Sequence, residues 1–309
     1  MTTPHDTAHD TVVERYGSGH VETEVRRSPS GRTTWIRSAG KKRTQPFGPP
    51  RPALVTALEA LAPTRPDARF VPPRPHGQAL HYAVPGAASA ADLLLSGDPR
   101  LHARAASSLE HLGGLLRSLH AVPTAAVDTA PDAPLSWLRL SGWLDGPRPG
   151  PAAVLHTRLR QALGTTRWQL LASWLEGLRT GPRVLLHGTP SLGLLVPSES
   201  DGADALLTGE DLGRGSRQQD VGWVLGELHE LRAVSARLRP SRRPPDWDDL
   251  TARFIEGYGL PPDPPAHRAA TLKTLLHLHD FCVFVTWDDA EILRCAADLA
   301  QLVDEHGKG

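Results

Sequence analysis

Residues 183–227 constrain this chain more than any other stretch. RVLLHGTPSLGLLV is an apolar run that ends in His187-Gly188, turns through Thr189-Pro190-Ser191 and resumes as LGLLV. Pro190 has no amide hydrogen for a strand ladder, so the chain must turn there. After a polar tip at 197–204, a third apolar run leads to Thr208-Gly209-Glu210-Asp211, and a helical pattern follows with Asp220 near its start. This order sets Thr189 and Thr208 at neighbouring strand ends, with Glu210 and Asp211 just beyond. Two adjacent carboxylates there can hold a hard cation such as Mg²⁺, or can form a solvated turn. Glu210 lies two residues past Thr208, so in extended chain both face the same side. Asp220 either belongs to this turn or caps the helix that follows.

The rest of the chain divides into strands first and helices later. Residues 1–10 are polar and expected to be disordered. Between 11 and 37, the turns Gly17-Ser18-Gly19 and Ser28–Gly31 separate three strand-like runs, read as antiparallel. Gly17 and Gly19 can bring a turn close to phosphates or can form a plain hairpin. Segment 38–51, with Lys41, Lys42 and Arg43, reads as a basic loop, either solvated or an edge for a peptide or phosphate. ALVTALEALA at 53–62 has helical spacing. Residues 63–78 are Pro-rich, and ALHYAVPG forms a strand that leaves through Pro85-Gly86. Helices dominate from about 89, with strong apolar faces at 101–120 and 153–179. Residues 124–152, rich in Pro and Gly, read as irregular. Helices are expected at 218–238, 247–258 and 266–302. This order predicts an α+β protein of two lobes. The units would be 1–10, 11–86 and 87–309, with the lobe boundary near 84–88.

Composition excludes some functions. Lys plus Arg and Asp plus Glu number 34 each in 309 residues, so no global field draws in nucleic acid or an anionic membrane. The two cysteines, Cys282 and Cys295, fit no zinc spacing and read as buried free thiols in a reducing, cytoplasmic setting. No apolar run approaches the ~18 residues of a membrane span. His277 and His279 fit one helix flank, a position better suited to packing than to a metal.

The segment 183–220 resembles the active-site floor of the aminoglycoside phosphotransferase and choline kinase superfamily. Its two motifs there read H-G-D-x-x-x-x-N and I-D-W-E-D-x-G-x-G-x-x-x-x-D. His187, Gly188, Gly193, Glu210, Asp211, Gly213, Arg214, Gly215 and Asp220 stand at matching positions. Arg32–Arg37 resembles the strand that ends in the phosphate-binding Lys, with Arg37 in its place, and Tyr82–Gly86 resembles the hinge. LLRSLHAVP at 115–123 and FIEGYG at 254–259 resemble later helix ends. The resemblance spans residues 11 to about 300. It implies a bilobal protein-kinase-like fold, with a small antiparallel-sheet N-lobe on the nucleotide side and a larger helical C-lobe. ATP and Mg²⁺ are the implied cofactors. Gly17, Gly19, Arg37, Tyr82 and Val84 would contact the nucleotide, His187 would brace the catalytic turn, and Glu210 and Asp211 would hold the metal. Arg37 is also expected to pair with Glu59 on the first helix. Trp137, Trp143, Trp168 and Trp174 lie around the insert that lines the acceptor pocket and suggest a broad groove.

Three departures bear on chemistry. The family's catalytic Asp is matched by Thr189, its metal-binding Asn by Leu194 and its Mg²⁺-binding Asp by Thr208. Losing one such group costs about 3 kcal/mol, roughly a hundredfold in rate. The chain also resembles the kinase-like subunits of class V lanthipeptide and thioamide-peptide biosynthesis. That resemblance implies a subunit that phosphorylates Ser or Thr of a ribosomal precursor peptide for a separate lyase. The alternative, for which the substitutions argue directly, is a pseudokinase that binds a leader peptide or scaffolds a partner enzyme. A small-molecule antibiotic phosphotransferase is the third reading.

Overall fold

The computed structural model describes residues 10–43, 47–61, 66–123, 130–147, 149–200, 202–238 and 243–308. Residues 1–9 of the expected disordered terminus lie outside them. The three expected antiparallel strands form: β1 (Thr11–Gly17), β2 (Val21–Arg27) and β3 (Thr33–Ala39). Helix α1 (Pro52–Leu61) follows. The Pro-rich stretch, for which the sequence pattern offers no element, holds two short strands, β4 (Ala68–Val71) and β5 (Arg74–His76). With β6 (Ala79–Val84), a five-stranded antiparallel sheet runs β1-β2-β3-β6-β5. Trp35 sits opposite Val25 on one side and Tyr82 on the other, and all three are buried. Alternating residues of three adjacent strands thus meet on one face. The Trp35 indole N–H donates to the Gly86 carbonyl at 3.2 Å, fixing the sheet to the chain's exit.

Helices follow as expected. Ser89 and Asp92 form a reciprocal capping box at the start of α2 (Ala90–Leu95). Asp98 caps α3 (Pro99–His120), whose leucines 109, 112, 116 and 119 are wholly buried. Residues 124–152 differ from the irregular segment expected. Residues 124–129 and 148 lie outside the described residues, but α4 spans Leu135–Asp145 and α5 begins at Pro151 and runs to Thr180, broken at Gly164. The prolines mislead because Pro134 and Pro151 stand at helix starts, where the missing N–H costs nothing.

The apolar runs of 183–209 form β7 (Val184–Leu186), β8 (Leu195–Val196) and β9 (Asp204–Leu207). They do not form a hairpin in series. β7 pairs with β10 (Gly213–Gly215), while β9 lies between β8 and the early strand β4, parallel to the latter. An early strand is therefore built into the later sheet. The last helices are α6 (Gln218–Leu238), α7 (Trp247–Tyr258), α8 (Pro264–Asp280) and α9 (Asp289–His306). The single helix expected over 266–302 is interrupted by a π-helical turn at Phe281–Val285, after which Asp288 caps α9. Among the described residues, no helix is long and apolar enough to cross a membrane.

The helical core depends on one close crossing. A Cβ on Gly257 of α7 would lie 1.9 Å from the Glu110 carbonyl of α3, and one on Gly113 would lie 2.3 Å from the Phe254 carbonyl. Only hydrogen fits between these backbones. Gly257→Ala is expected to cost about 3 kcal/mol by forcing the helices apart. Gly177→Ala, where an added methyl meets nothing within 4 Å, should be neutral or stabilise by up to about 1 kcal/mol. Urea denaturation midpoints of the two variants check this.

Candidate functional site

The His-Gly turn after β7 is held from α6. Asp220, wholly buried, accepts from the backbone N–H groups of His187 (2.8 Å) and Gly188 (2.8 Å). His120 Nε2 lies 3.1 Å from the same carboxylate, and its Nδ1 lies 2.9 Å from the Tyr258 hydroxyl. Asp220 therefore holds the His187-Gly188 turn, which is neither the acidic turn at 208–211 nor the helix start expected for it. Gly188 has φ +88, and a Cβ there would meet the Asp211 carbonyl at 2.2 Å, so no larger residue fits. Glu227, one of the residues the sequence reading passes over, accepts from Ser191 Oγ (2.8 Å) and Leu192 N–H (3.0 Å). Two carboxylates of one helix thus fix the whole loop from 187 to 192.

His187 is buried and its Nε2 lies 3.0 Å from the Leu207 carbonyl, so it braces β7 against β9. Burial is the largest influence on its ring and lowers its pKa, which keeps it neutral near pH 7. Thr189 is half-buried at the tip, its carbonyl bonded by Ser191 N–H at 2.7 Å. Leu194 packs against the cores of both the sheet and the helices. Thr208 is wholly buried: its hydroxyl donates to the Val71 carbonyl at 3.4 Å, and its own carbonyl accepts from the Tyr82 hydroxyl at 3.0 Å.

The acidic pair is divided between two tasks. Glu210 takes both oxygens into a fork with one Arg43 nitrogen, each at 2.6 Å, and both side chains are largely buried. Asp211 Oδ1 accepts from Ser136 N–H at 2.7 Å, covering the start of α4, where Pro134 has no capping side chain. Among the described residues, no cluster of three or more His, Cys, Asp or Glu could hold a metal ion. A Mg²⁺ ion needs several hard oxygens free to turn inward. With Glu210 neutralised by a guanidinium, Asp211 bonded at α4 and Thr208 on a carbonyl, these residues do not fit the metal expected from sequence.

The nucleotide-side residues also have other partners. Arg37 does not pair with Glu59, which is exposed; its guanidinium lies 5.5 Å from the Phe47 ring and beside the Tyr82 hydroxyl. Arg43 lies 5.1 Å from the same ring. Phe47 packs against the sheet core, so a stack of Arg37, Phe47, Arg43 and Glu210 crosses beneath β3. The Gly17–Gly19 turn docks on the π-helical turn. Gly19 N–H donates to the Phe284 carbonyl at 2.7 Å, and Lys42 Nζ to the Val283 carbonyl at 3.0 Å. The His20 ring lies 4.6 Å from Phe284. Tyr82 is part of the core, and Val84 is paired to Thr33 in the sheet.

Beside this latch is a cavity of about 710 Å³, walled by His20, Arg43, Arg139, Trp143, His279 and Phe284. Burial works to raise the Asp280 pKa, but Arg139 and His279 outweigh it and hold it at about 2. His279 Nδ1 bonds Asp280 at 2.8 Å, whereas His277 lies 3.5 Å from Glu230, so these two histidines serve different neighbours. Trp137, Trp143, Trp168 and Trp174 are all core residues, and of these only Trp143 lines the cavity.

Comparison with known proteins finds the fold and nothing finer. No protein-family model matches the chain, and no curated protein does. Solved structures match along nearly the whole length. Amicoumacin kinase hAmiN, in complex with AMP-PNP, Ca²⁺ and Ami, is 12% identical over 96% of this chain and 88% of its own, with a TM-score of 0.56. A provisionally assigned aminoglycoside phosphotransferase of Ralstonia eutropha JMP134 is 14% identical over 98% and 94%, with a TM-score of 0.53. The GDP and kanamycin complex of APH(2")-IIIa is 15% identical over 96% and 94%, with a TM-score of 0.52. The chain thus has the aminoglycoside-phosphotransferase-like kinase fold.

Burial and the neighbouring arginines 139 and 43 lower the His20 pKa to about 4, against 6.5 in the unfolded chain. Below pH 6.5 the unfolded state takes up a proton that the folded state refuses, so this contribution to stability is lost as pH falls from 6.5 towards 4. The thermal midpoint should therefore drop between pH 7 and pH 5 by less in His20→Gln than in the parent, as calorimetry at the two pH values can show.

Proposed function

We propose that this chain is a kinase-fold protein that acts by binding a peptide for a partner enzyme, without transferring phosphate. The observation that carries this reading is the buried Arg43–Glu210 fork, which occupies the carboxylate best placed to hold a metal. Breaking such a pair costs roughly 3–5 kcal/mol, because one buried charge is left alone. Thr189 supports the same reading: its hydroxyl, unlike a carboxylate, cannot take the acceptor's proton near pH 7. Leu194 and Thr208 offer no replacement, one being packed apolar surface and the other bonded to Val71.

The intact bracing of the loop by Asp220 and Glu227 supports a cleft kept in shape for a purpose other than chemistry. For the subunit to phosphorylate a precursor peptide for a lyase, Arg43 would have to release Glu210. For an antibiotic phosphotransferase the base at Thr189 would also be missing.

Calorimetric titration with ATP tests the proposal. Mg²⁺ should change ATP affinity by no more than about twofold, about 0.4 kcal/mol. Incubation with ATP, Mg²⁺ and candidate precursor peptides should give no phosphopeptide by mass spectrometry. Transfer by the parent chain that disappears in Glu210→Gln would overturn the reading.

A further inference from the structure

The exposed face of α4 joins two cavities. Leu135 and Leu138, one helical turn apart and both exposed, line the 710 Å³ cavity beside the latch. They also line a second cavity of about 370 Å³, walled by Trp137, Leu175, Arg179 and Arg183. The two hollows form one groove with a leucine ridge in its middle. Helix α4 has eleven residues, so the groove follows a helix about 16 Å long.

The outer cavity has an uneven charge rim. Its lining includes Arg179, Arg183 and Arg214, with the carboxylates of Asp132 and Glu176 among the described residues. Asp132 sits 2.6 Å from Arg214 and 3.5 Å from Arg183, while Arg179 has a loose 3.7 Å contact with Glu176 and a 3.4 Å bond to the Ser141 hydroxyl. Arg179 is about half exposed. A ligand carboxylate there meets a planar donor fork at little desolvation cost. At the inner end, Arg43 and Arg139 are already paired with Glu210 and Asp280, and Trp143 and Phe284 supply flat apolar walls.

We propose that this groove binds an extended, acidic peptide segment, with apolar side chains on either side of the Leu135–Leu138 ridge and a carboxylate on Arg179 and Arg183. A compact small molecule fills one cavity and leaves the other empty. An extended chain of about five residues, at about 3.3 Å each, reaches both. The half-exposed Arg179 disfavours a basic segment. The proposal rests on the peptide-binding part of the function given above and names the peptide's chemistry and its path.

The test uses the full chain and fluorescein-labelled heptapeptides that carry two leucines among glutamates, with a matched set carrying lysines instead. Fluorescence anisotropy should show the acidic set binding at least about tenfold more tightly than the lysine set. Leu138→Asp should weaken the acidic set by about tenfold or more. Arg179→Glu should abolish the preference for acid, while Leu293→Asp, an exposed change on α9, should leave binding unaltered. Both altered groove residues are at the surface, so an unchanged thermal midpoint will show that the fold is intact. Equal binding of the two sets, no binding of either, or indifference to Leu138→Asp would overturn the proposal. So would preferential binding of oleate, which also joins a carboxylate to an apolar chain. Phosphate transfer would sink the non-catalytic reading while leaving this groove in place. Absence of both transfer and peptide binding would sink the groove alone.

Discussion

Asp220 is the constraint on which the cleft depends. A carboxylate buried without partners would be too costly to keep, yet this one is wholly enclosed. It is stable there because two backbone N–H groups and a histidine converge on it. The N–H groups belong to consecutive residues, so the turn at His187-Gly188 has one allowed shape. That shape puts Gly188 against the Asp211 carbonyl and His187 on the Leu207 carbonyl. Through these contacts α6, β7, β9 and the start of α4 take fixed relative positions. Most of the floor of the cleft follows from one side chain.

A floor so firmly built sets limits on what the missing groups mean. The bracing of this loop falls to residues other than Thr189, Leu194 and Thr208. Asp220, Glu227, His187 and Gly188 hold the loop through hydrogen bonds. Thr189 and Leu194 carry no carboxylate or amide, and the Thr208 hydroxyl donates to the Val71 carbonyl. The remaining acid, Glu210, is drawn into an ion pair with Arg43, beneath a ring that Arg37 also faces. In a partly buried site the energy of such a pair rests on both charges staying together. Both oxygens of that carboxylate lie against one Arg43 nitrogen, so a cation there would meet a carboxylate already neutralised by the arginine.

Much of this was legible in the sequence. The three N-terminal strands, α1, the strand that leaves through Pro85-Gly86 and the long helix α3 all follow from periodicity and turn residues. The His-Gly turn and the Asp220 position are visible as a pattern. What was not legible depends on partners far apart in the chain. Nothing near Lys41–Arg43 marks Arg43 as the partner of Glu210, 167 residues later. The short strand β4 is hidden among prolines because its ladder is supplied by β9, more than a hundred residues on. Pro134 and Pro151 read as breakers when they begin helices, since the sequence alone does not show on which side of a proline a helix lies. The Arg37–Glu59 pair was expected by analogy, and the Phe47 ring takes the place of the glutamate.

The pairing of β4 with β9 and the docking of the Gly17–Gly19 turn on Phe284 both tie the early part of the chain to the later part. One is a backbone ladder that makes an early strand part of the later sheet. The other joins a hairpin to the π-helical turn through Gly19, Lys42 and His20. A kinase at work must open and close around nucleotide at each turnover, which needs weak contacts across the mouth. Here the contacts across the mouth include a buried ion pair, two hydrogen bonds to backbone carbonyls and a ring contact. Contacts of that number oppose repeated opening, because each would have to break together with the buried Arg43–Glu210 pair.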